Sequence, residues 1–129
     1  MTPFKRPQNT RGKPMLTIQE QGMIVIYVRE HISERISLGT LADLLGMSQR
    51  YLGALFKSSF AGWTVHRYVL NARVENAARL LSLNCELLVN DVARLSGFCS
   101  PSHLGNIFLL HKGLTPTEYR KWYLVNNGQ

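Results

Sequence analysis

The sequence is poor in cysteine and in acidic residues, and it has no long apolar stretch. Its two cysteines, Cys85 and Cys99, are too few for a disulfide framework, which is typical of a protein from a reducing compartment. The longest apolar runs, such as residues 23–28, are far shorter than the ~20 residues that cross a bilayer. The basic N-terminus has no apolar core of a signal peptide. We therefore expect a cytoplasmic protein with no membrane partner.

Enzymatic motifs are also missing from the sequence. There is no glycine-rich phosphate-binding loop and no nucleophile–base pair in a recognisable motif. The one candidate set of metal ligands is Cys85, Cys99, His103 and His111. It lacks the closely spaced cysteine pair of a zinc site, and it also lacks the second closely spaced pair of ligands. We expect no enzymatic activity, no metal ligands and no cofactor.

The positive charge is concentrated near the N-terminus. Fifteen basic and eight acidic residues give a net charge of +7, which favours a polyanionic partner such as nucleic acid. Four basic residues precede Met15 with no acidic residue among them: Lys5, Arg6, Arg11 and Lys13. Residues 1–16, with three of the five prolines, are predicted to form a disordered basic arm. The alternative is that this arm contacts phosphates or a minor groove.

About seven helices are predicted from apolar residues at helical spacing. Residues 17–20 form a Thr/Glu capping box, from which a first helix is expected to run to about residue 34. Ser37, Ser48 and Thr64 can cap the next three, the last of which is long and is expected to stop at Asn84. The remaining helices are expected at 89–96, at 101–111 and from 116 onwards. No convincing alternating strand is present, so the chain is predicted to be all-α.

The chain contains an internal repeat at a separation of about fifty residues. Leu41-Ala42, Gly46-Met47 and residues 52–56 correspond to Val92-Ala93, Gly97-Phe98 and residues 104–108. Each copy has the pattern of a helix-turn-helix motif, in which a small alanine allows close helix packing and a glycine permits the sharp turn. Two tandem copies joined by a long helix are much stronger evidence than one.

The repeat defines a domain organisation. We predict a first helix-turn-helix subdomain at 17–61, a linker helix at 62–84 and a second subdomain at 85–125, after the arm at 1–16. A helix of about twenty residues spans ~30 Å, close to the ~34 Å of one turn of B-DNA. A linker of this size could therefore place two recognition helices in successive major grooves, without a palindromic site.

The run GFxxxSxxxxxFxxxxGxTPxEYR at residues 97–120 is a specific motif. Together with it, the chain resembles the DNA-binding domain of the AraC/XylS family of bacterial transcription regulators over about residues 20–123. The other matching positions are Leu38, Leu41-Ala42, Gly46-Met47-Ser48, Tyr51-Leu52, Leu55-Phe56-Lys57, Gly62, Tyr68, Arg73, Ala77, Leu80-Leu81 and Val92-Ala93. The framework matches better than the recognition surface. Departures from the family pattern are Ala54, Leu104, Asn106, Leu109 and one extra residue between Phe56 and Gly62.

In the second helix of the first unit, Tyr51 and the Leu and Phe residues are predicted to form the inner stripe. The opposite face, at the start of this helix, should point into a DNA groove. The candidate DNA-binding residues there are Gln49, Arg50, Gly53, Ala54 and Lys57. Arg50 could bond a guanine edge and Gln49 an adenine. The alternative for Arg50 is a solvated surface charge. Lys57 is expected to meet a phosphate, which adds affinity without sequence information.

In the second unit, residues 101–110 contain no lysine or arginine. The candidate DNA-binding residues are Ser102, His103, Gly105 and Asn106, and His103 could equally be an ordinary surface histidine. Uncharged groups bring no counterion release, so the first unit is expected to dominate base-specific affinity. Leu109 and Leu110 are adjacent and cannot both point inward, so an exposed leucine could contact a partner protein.

The first functional hypothesis is a sequence-specific regulator of transcription that binds double-stranded DNA. The family resemblance implies an activator that contacts RNA polymerase, and we expect a monomer on DNA unless the chain is a fragment of a longer protein. The second hypothesis is a degenerate helix-turn-helix protein that acts mainly through polymerase, another regulator or a chaperone. The salt dependence of DNA affinity separates the two.

Overall fold

A computed structural model of the protein describes residues 4–83 and 86–127. These residues form seven α-helices: α1 (Ile18–Glu30), α2 (Leu38–Leu45), α3 (Gln49–Ser59), α4 (Val65–Leu83), α5 (Val89–Leu95), α6 (Pro101–Lys112) and α7 (Pro116–Asn127). In the same residues, the only β-type pairing is an isolated bridge between Gln8 and Pro14. The predicted all-α fold of about seven helices is confirmed.

The capping predicted from sequence is present at atomic detail. In the box that starts α1, the Thr17 hydroxyl accepts from the Glu20 N–H at 3.1 Å and the Glu20 carboxylate accepts from the Thr17 N–H at 2.9 Å. Thr115 and Glu118 form the same reciprocal pair before α7. Such pairs satisfy donors that the first helical turn leaves without an intrahelical partner.

One predicted helix end differs from the structure, and another lies outside the described residues. Helix α1 ends at Glu30 and not near residue 34, because the backbone leaves the helical conformation at His31, with φ −115° and ψ +27°. The predicted end of α4 at Asn84 lies outside the described residues.

The described chain forms two units. The first comprises the residues up to His31 together with Ile36–Val69, and the second comprises Ile32–Arg35 and the residues from Leu70 onwards. Helix α4 is shared, since its first residues belong to the first unit and the rest belong to the second. The domain boundaries given by the sequence analysis, 17–61, 62–84 and 85–125, stay a prediction.

Each unit has its own buried core. In the first, the fully buried side chains come mainly from α1, α2 and α3; the largest are Phe56, Leu16, Ile24, Leu41, Leu52 and Leu55. In the second, α4, α5 and α6 enclose a cluster of Val74, Ala77, Ala78, Leu81, Val92, Ala93, Phe98, Leu104 and Phe108. The apolar stripes predicted from helical spacing are therefore the faces that hold each unit together.

Residues 4–16, which the sequence analysis assigned to a disordered arm, make defined contacts in the first unit. Leu16 is fully buried, and Arg6 is hydrogen-bonded to Glu20 of α1 and Tyr51 of α3. A buried leucine at one end and a paired guanidinium at the other hold the segment in place. The first three residues of the predicted arm lie outside the described residues.

Candidate nucleic-acid interface

The turn between α2 and α3 sets the direction of the first recognition helix. Gly46 ends α2 with φ +68°, a left-handed conformation that glycine adopts without steric cost. The Met47 N–H then donates to the Ala42 carbonyl at 3.0 Å. Ser48 caps α3 by accepting from the Tyr51 N–H at 3.2 Å. These local bonds place the first turn of α3 at the end of a tight connection, as a helix-turn-helix motif requires.

Helix α3 has an inner and an outer face. Leu52, Leu55 and Phe56 are buried. Because residues advance by about 100° around an α-helix, Arg50, Ala54 and Lys57 lie together on the opposite, exposed side. This arrangement agrees with the predicted face, but whether these side chains contact DNA stays a prediction.

Gln49 and Gly53 lie close to α2. A Cβ atom added to Gly39 would lie 3.0 Å from the Gln49 side-chain nitrogen, so the exposed Gln49 runs alongside α2. Gly53 is half-buried, and a Cβ atom there would lie 3.8 Å from the Leu38 side chain. Because Gly53 has no side chain, no group projects from the helix surface between Gln49 and Arg50.

The positive charges on the outer face of α3 are available for a ligand. Arg50 and Lys57 are exposed, and neither forms a hydrogen bond or ion pair with another residue in the described ranges. A cation that is already paired must break that pair before it can bind a phosphate or a base edge. Arg50 and Lys57 have no such cost.

Helix α6 of the second unit also has two faces, but its outer face carries no formal charge. Leu104 and Phe108 are buried, whereas Ser102, His103 and Asn106 are exposed. Gly105 is half-buried, with no atom within 4 Å of an added Cβ. The structure thus places the polar candidates on the outer side, as the spacing predicts.

Two leucines extend this outer face of α6. Leu109 is 47% exposed and Leu110 is 80% exposed, so neither of them packs inward. Lys112, at the end of α6, is positively charged, but it is paired with Glu75 at 2.6 Å. The outer face of α6 is therefore polar at its start and apolar near its end.

Several arginines outside the two recognition helices have internal partners, among them Arg73, Arg79 and Arg120. Arg73 donates from Nε to the Ile32 carbonyl at 3.2 Å and from a terminal nitrogen to the Glu34 carbonyl at 2.6 Å, and its burial lowers the pKa of its guanidinium. Arg79 donates to the Asn76 side chain at 2.9 Å. Arg120 donates to the Leu87 carbonyl at 2.6 Å. Arg73 and Arg79 are therefore used in bonds within the chain.

Sequence reasoning missed one contact of α3. Tyr51 was expected in the inner stripe of this helix, but it is 48% exposed and its hydroxyl accepts a hydrogen bond from Arg6 Nε at 2.9 Å. Arg6 also forms a bidentate pair with Glu20, which lowers the pKa of that carboxyl through hydrogen bonding. No short-range pattern links these residues, since Arg6 lies in a segment without helical periodicity.

Metal and membrane features can be stated for the described part of the chain. No group of His, Cys, Asp or Glu side chains in residues 4–83 and 86–127 could hold a metal ion. Cys85, a member of the candidate metal set, lies outside these residues. Within the same ranges, no helix combines the length and apolarity of a membrane span.

Two α-helix–turn–α-helix units, each with a buried inner face and an exposed outer face on its second helix, define a DNA-binding protein of the helix-turn-helix class. The family model described as "Helix-turn-helix domain" matches residues 41–121. The chain belongs to this family and has an AraC-type DNA-binding domain, so the AraC/XylS resemblance is confirmed. Members of the family are DNA-binding regulators and not enzymes.

Individual relatives agree with this assignment. The chain is 33% identical to the probable transcriptional regulator LumQ of Photobacterium leiognathi, over 80% of this chain and 42% of LumQ. It is 37% identical to the transcriptional activator NphR of a Rhodococcus species, over 67% of this chain and 25% of NphR. The matched region is thus less than half of either relative.

A solved structure gives the same fold. The DNA-binding domain of the global transcriptional factor AdpA, crystallised in complex with a target DNA, superposes with a TM-score of 0.75 at 31% sequence identity. The match covers 84% of this chain and 96% of the AdpA chain.

Proposed function

We propose that this protein is a sequence-specific regulator of transcription that binds double-stranded DNA mainly through α3. The observation that carries the proposal is the outer face of α3, where exposed Arg50 and Lys57 have no partner within the described residues. Arg50 lies in the first turn, where recognition helices contact base edges. Its guanidinium can donate two parallel hydrogen bonds to a guanine. The AdpA domain, which has the same fold and was crystallised with its target DNA, supports DNA as the partner.

The second unit is proposed to add a weaker contact through α6. Ser102, His103 and Asn106 can hydrogen-bond bases or phosphates, but they release no counterions. Helix α4 has 19 residues and is about 28 Å long, close to one turn of B-DNA. This length supports a mode in which the two units use successive major grooves of one duplex, as a monomer in the cytoplasm.

Activation through contact with RNA polymerase is part of the same proposal. It is supported by the similarity to NphR, a transcriptional activator that shares 37% identity with this chain over the matched region. Since the chain spans only a quarter of NphR, the proposal concerns the DNA-binding region and leaves signal sensing aside.

The proposal is tested with two substitutions on the outer face of α3. Arg50→Ala should relax the preference for particular bases, with a loss of about 1–3 kcal/mol on the preferred site and much less on random DNA. Lys57→Ala should weaken binding to all sequences alike and reduce the salt slope by about 1. Affinities for a selected site and for random DNA, measured across a salt series, give both quantities. An equal loss on every sequence from Arg50→Ala would contradict its role in base recognition.

A second candidate function is favoured by the apolar end of α6. The exposed side chains of the adjacent residues Leu109 and Leu110 form a small hydrophobic patch. Such a patch can bind a protein partner such as polymerase. We expect Leu109→Ser with Leu110→Ser to lower promoter-dependent transcription several-fold while DNA affinity stays within about twofold, because exposed positions contribute little to folding. Transcription and DNA binding assayed on the same preparation give both numbers. Unchanged transcription would rule out this patch as the contact.

A further inference from the structure

The segment before α1 forms a closed loop with a basic tip. The Asn9 N–H donates to the Lys13 carbonyl, and the Gly12 N–H donates to the Asn9 carbonyl, both at 2.9 Å. The Asn9 side-chain oxygen accepts from the N–H groups of Arg11 and Lys13, at 2.9 and 3.0 Å. Gly12 takes φ +76°, which suits the tight reversal. These bonds place Arg11 and Lys13 together at the tip of what we call the basic loop, residues 7–14.

One end of the basic loop is anchored in the core of the first unit. Met15 donates its N–H to the Pro7 carbonyl at 2.8 Å and so closes the base of the loop. Leu16, the next residue, is fully buried. Its N–H donates to the Ser59 hydroxyl at 2.8 Å, and its carbonyl accepts from the Gln21 side chain at 3.0 Å.

The other end is anchored by Arg6. Its guanidinium donates to both carboxylate oxygens of Glu20, at 2.5 and 3.2 Å, and to the Tyr51 hydroxyl at 2.9 Å. The guanidinium carbon also lies 5.4 Å from the centre of the Tyr51 ring. The side chains of Arg6 and Glu20 are only 15% and 20% exposed. A bidentate pair with this little solvent around it is among the stronger surface interactions.

This anchoring divides the basic residues of the segment into two groups. Arg6 is used internally and has its charge balanced by Glu20. Lys5, Arg11 and Lys13 are exposed, and none of them forms an ion pair with another residue of the described chain. Tyr51 directly follows Arg50 in α3, so the anchor attaches the basic loop to the first turn of the recognition helix.

We propose that the basic loop is a second DNA contact of the first unit, which binds backbone phosphates next to the base pairs contacted by α3. This inference rests on the proposed function. Phosphate is the expected target because the backbone groups of the loop are largely bonded to one another, which leaves the Arg11 and Lys13 side chains as the donors. Such contacts add affinity without sequence information. Because the loop is already ordered, binding does not carry the entropic cost of fixing a flexible arm.

The first test removes the charges at the tip. Arg11→Gln combined with Lys13→Gln should weaken binding to specific and random DNA alike. The slope of log affinity against log salt concentration should become smaller by about 1.8. The ratio of wild-type to variant affinity should therefore shrink about tenfold between about 50 and 200 mM salt. A matched control, Arg35→Gln with Lys121→Gln, removes two exposed positive charges from elsewhere in the chain. A slope change no larger than that of the control would overturn the proposal.

The second test breaks the Arg6–Glu20 pair. General electrostatics and loss of anchoring predict opposite changes in DNA affinity for the variant used. Glu20→Gln keeps an acceptor for the helix cap, since glutamine serves in capping boxes, but it removes the charge that holds Arg6. General electrostatics predicts tighter DNA binding, because the protein becomes more positive. Anchoring predicts weaker binding and a smaller salt slope, because the loop is released. The control Glu30→Gln, an exposed acid of the same helix, measures the plain charge effect. Tighter binding for both variants would overturn the anchoring.

The two proposals fail in different ways. If the loop variants bind DNA like the wild type while Arg50→Ala still loses base preference, the basic loop is not a DNA contact and the proposed function stands. If the wild type itself prefers no sequence over random DNA, the proposed function fails. If the loop variants lose binding to an acidic protein but not to DNA, the loop inference is wrong about its partner.

Discussion

Gly97→Ala is expected to lower the free energy of unfolding by about 2–5 kcal/mol, the sum of a left-handed backbone and a steric clash. Gly97 forms the turn between α5 and α6 with φ +86°. A Cβ atom there would lie 2.4 Å from the Ile32 carbonyl oxygen and 2.7 Å from Arg73 Nε. The first of these atoms belongs to the backbone, so it cannot move aside as a flexible side chain would. Urea unfolding monitored by circular dichroism gives the change.

The internal repeat provides a matched control for this prediction. Gly46 occupies the equivalent turn between α2 and α3 with φ +68°, but nothing lies within 4 Å of an added Cβ. Gly46→Ala should therefore cost only the backbone strain, about 1–2 kcal/mol. The difference between the two variants gives the cost of the close contacts with Ile32 and Arg73. Equal losses would mean that the packing around Gly97 relaxes at little cost.

The same contact explains why Arg73 is not free to bind DNA. Its guanidinium fills the space beside Gly97 and bonds the carbonyls of Ile32 and Glu34. A side chain at position 97 would displace both the loop carbonyl and the arginine that satisfies it. Gly97 and Arg73 are both part of the family resemblance, and in this structure they meet at one site.

The features that sequence analysis predicted well are local ones. Helix caps such as Thr17 with Glu20 join residues three apart, and glycine turns depend on one residue's backbone freedom. Helical spacing identified the buried faces of α3 and α6, because burial follows the period of the helix. The residues of each recognition helix that do not belong to the buried face form its outer face. The pattern alone therefore predicted that Arg50 and Asn106 lie on the outer faces.

The contacts that sequence analysis missed are long-range pairings of polar side chains. Arg6 meets residues 14 and 45 positions away, and no periodicity marks it as different from Lys5 or Arg11. Tyr51 was placed in the core stripe because its spacing suits that face, but its polar hydroxyl allows an exposed position with a hydrogen bond to Arg6. Such choices are made by tertiary packing and not by local propensity.

Phe108→Ala is expected to destabilise the protein by about 3–5 kcal/mol, the usual cost of truncating a buried phenylalanine. Phe108 is fully buried in the second unit, and its ring makes an edge contact with Tyr119 at a centroid distance of 5.2 Å. On the same helix, Leu110→Ala should change stability by less than about 0.5 kcal/mol, since Leu110 is largely exposed. Urea unfolding of both variants tests this contrast.

The contrast also decides how α6 is used. If it holds, Phe108 positions the helix while Leu110 is available for a partner, and only Leu110→Ala can affect transcription without affecting folding. DNA affinity measured in buffer, where both variants remain folded, should then be little changed by Leu110→Ala. A large stability loss from Leu110→Ala would mean that this residue packs within the chain, and the proposed protein contact on α6 would lose its basis.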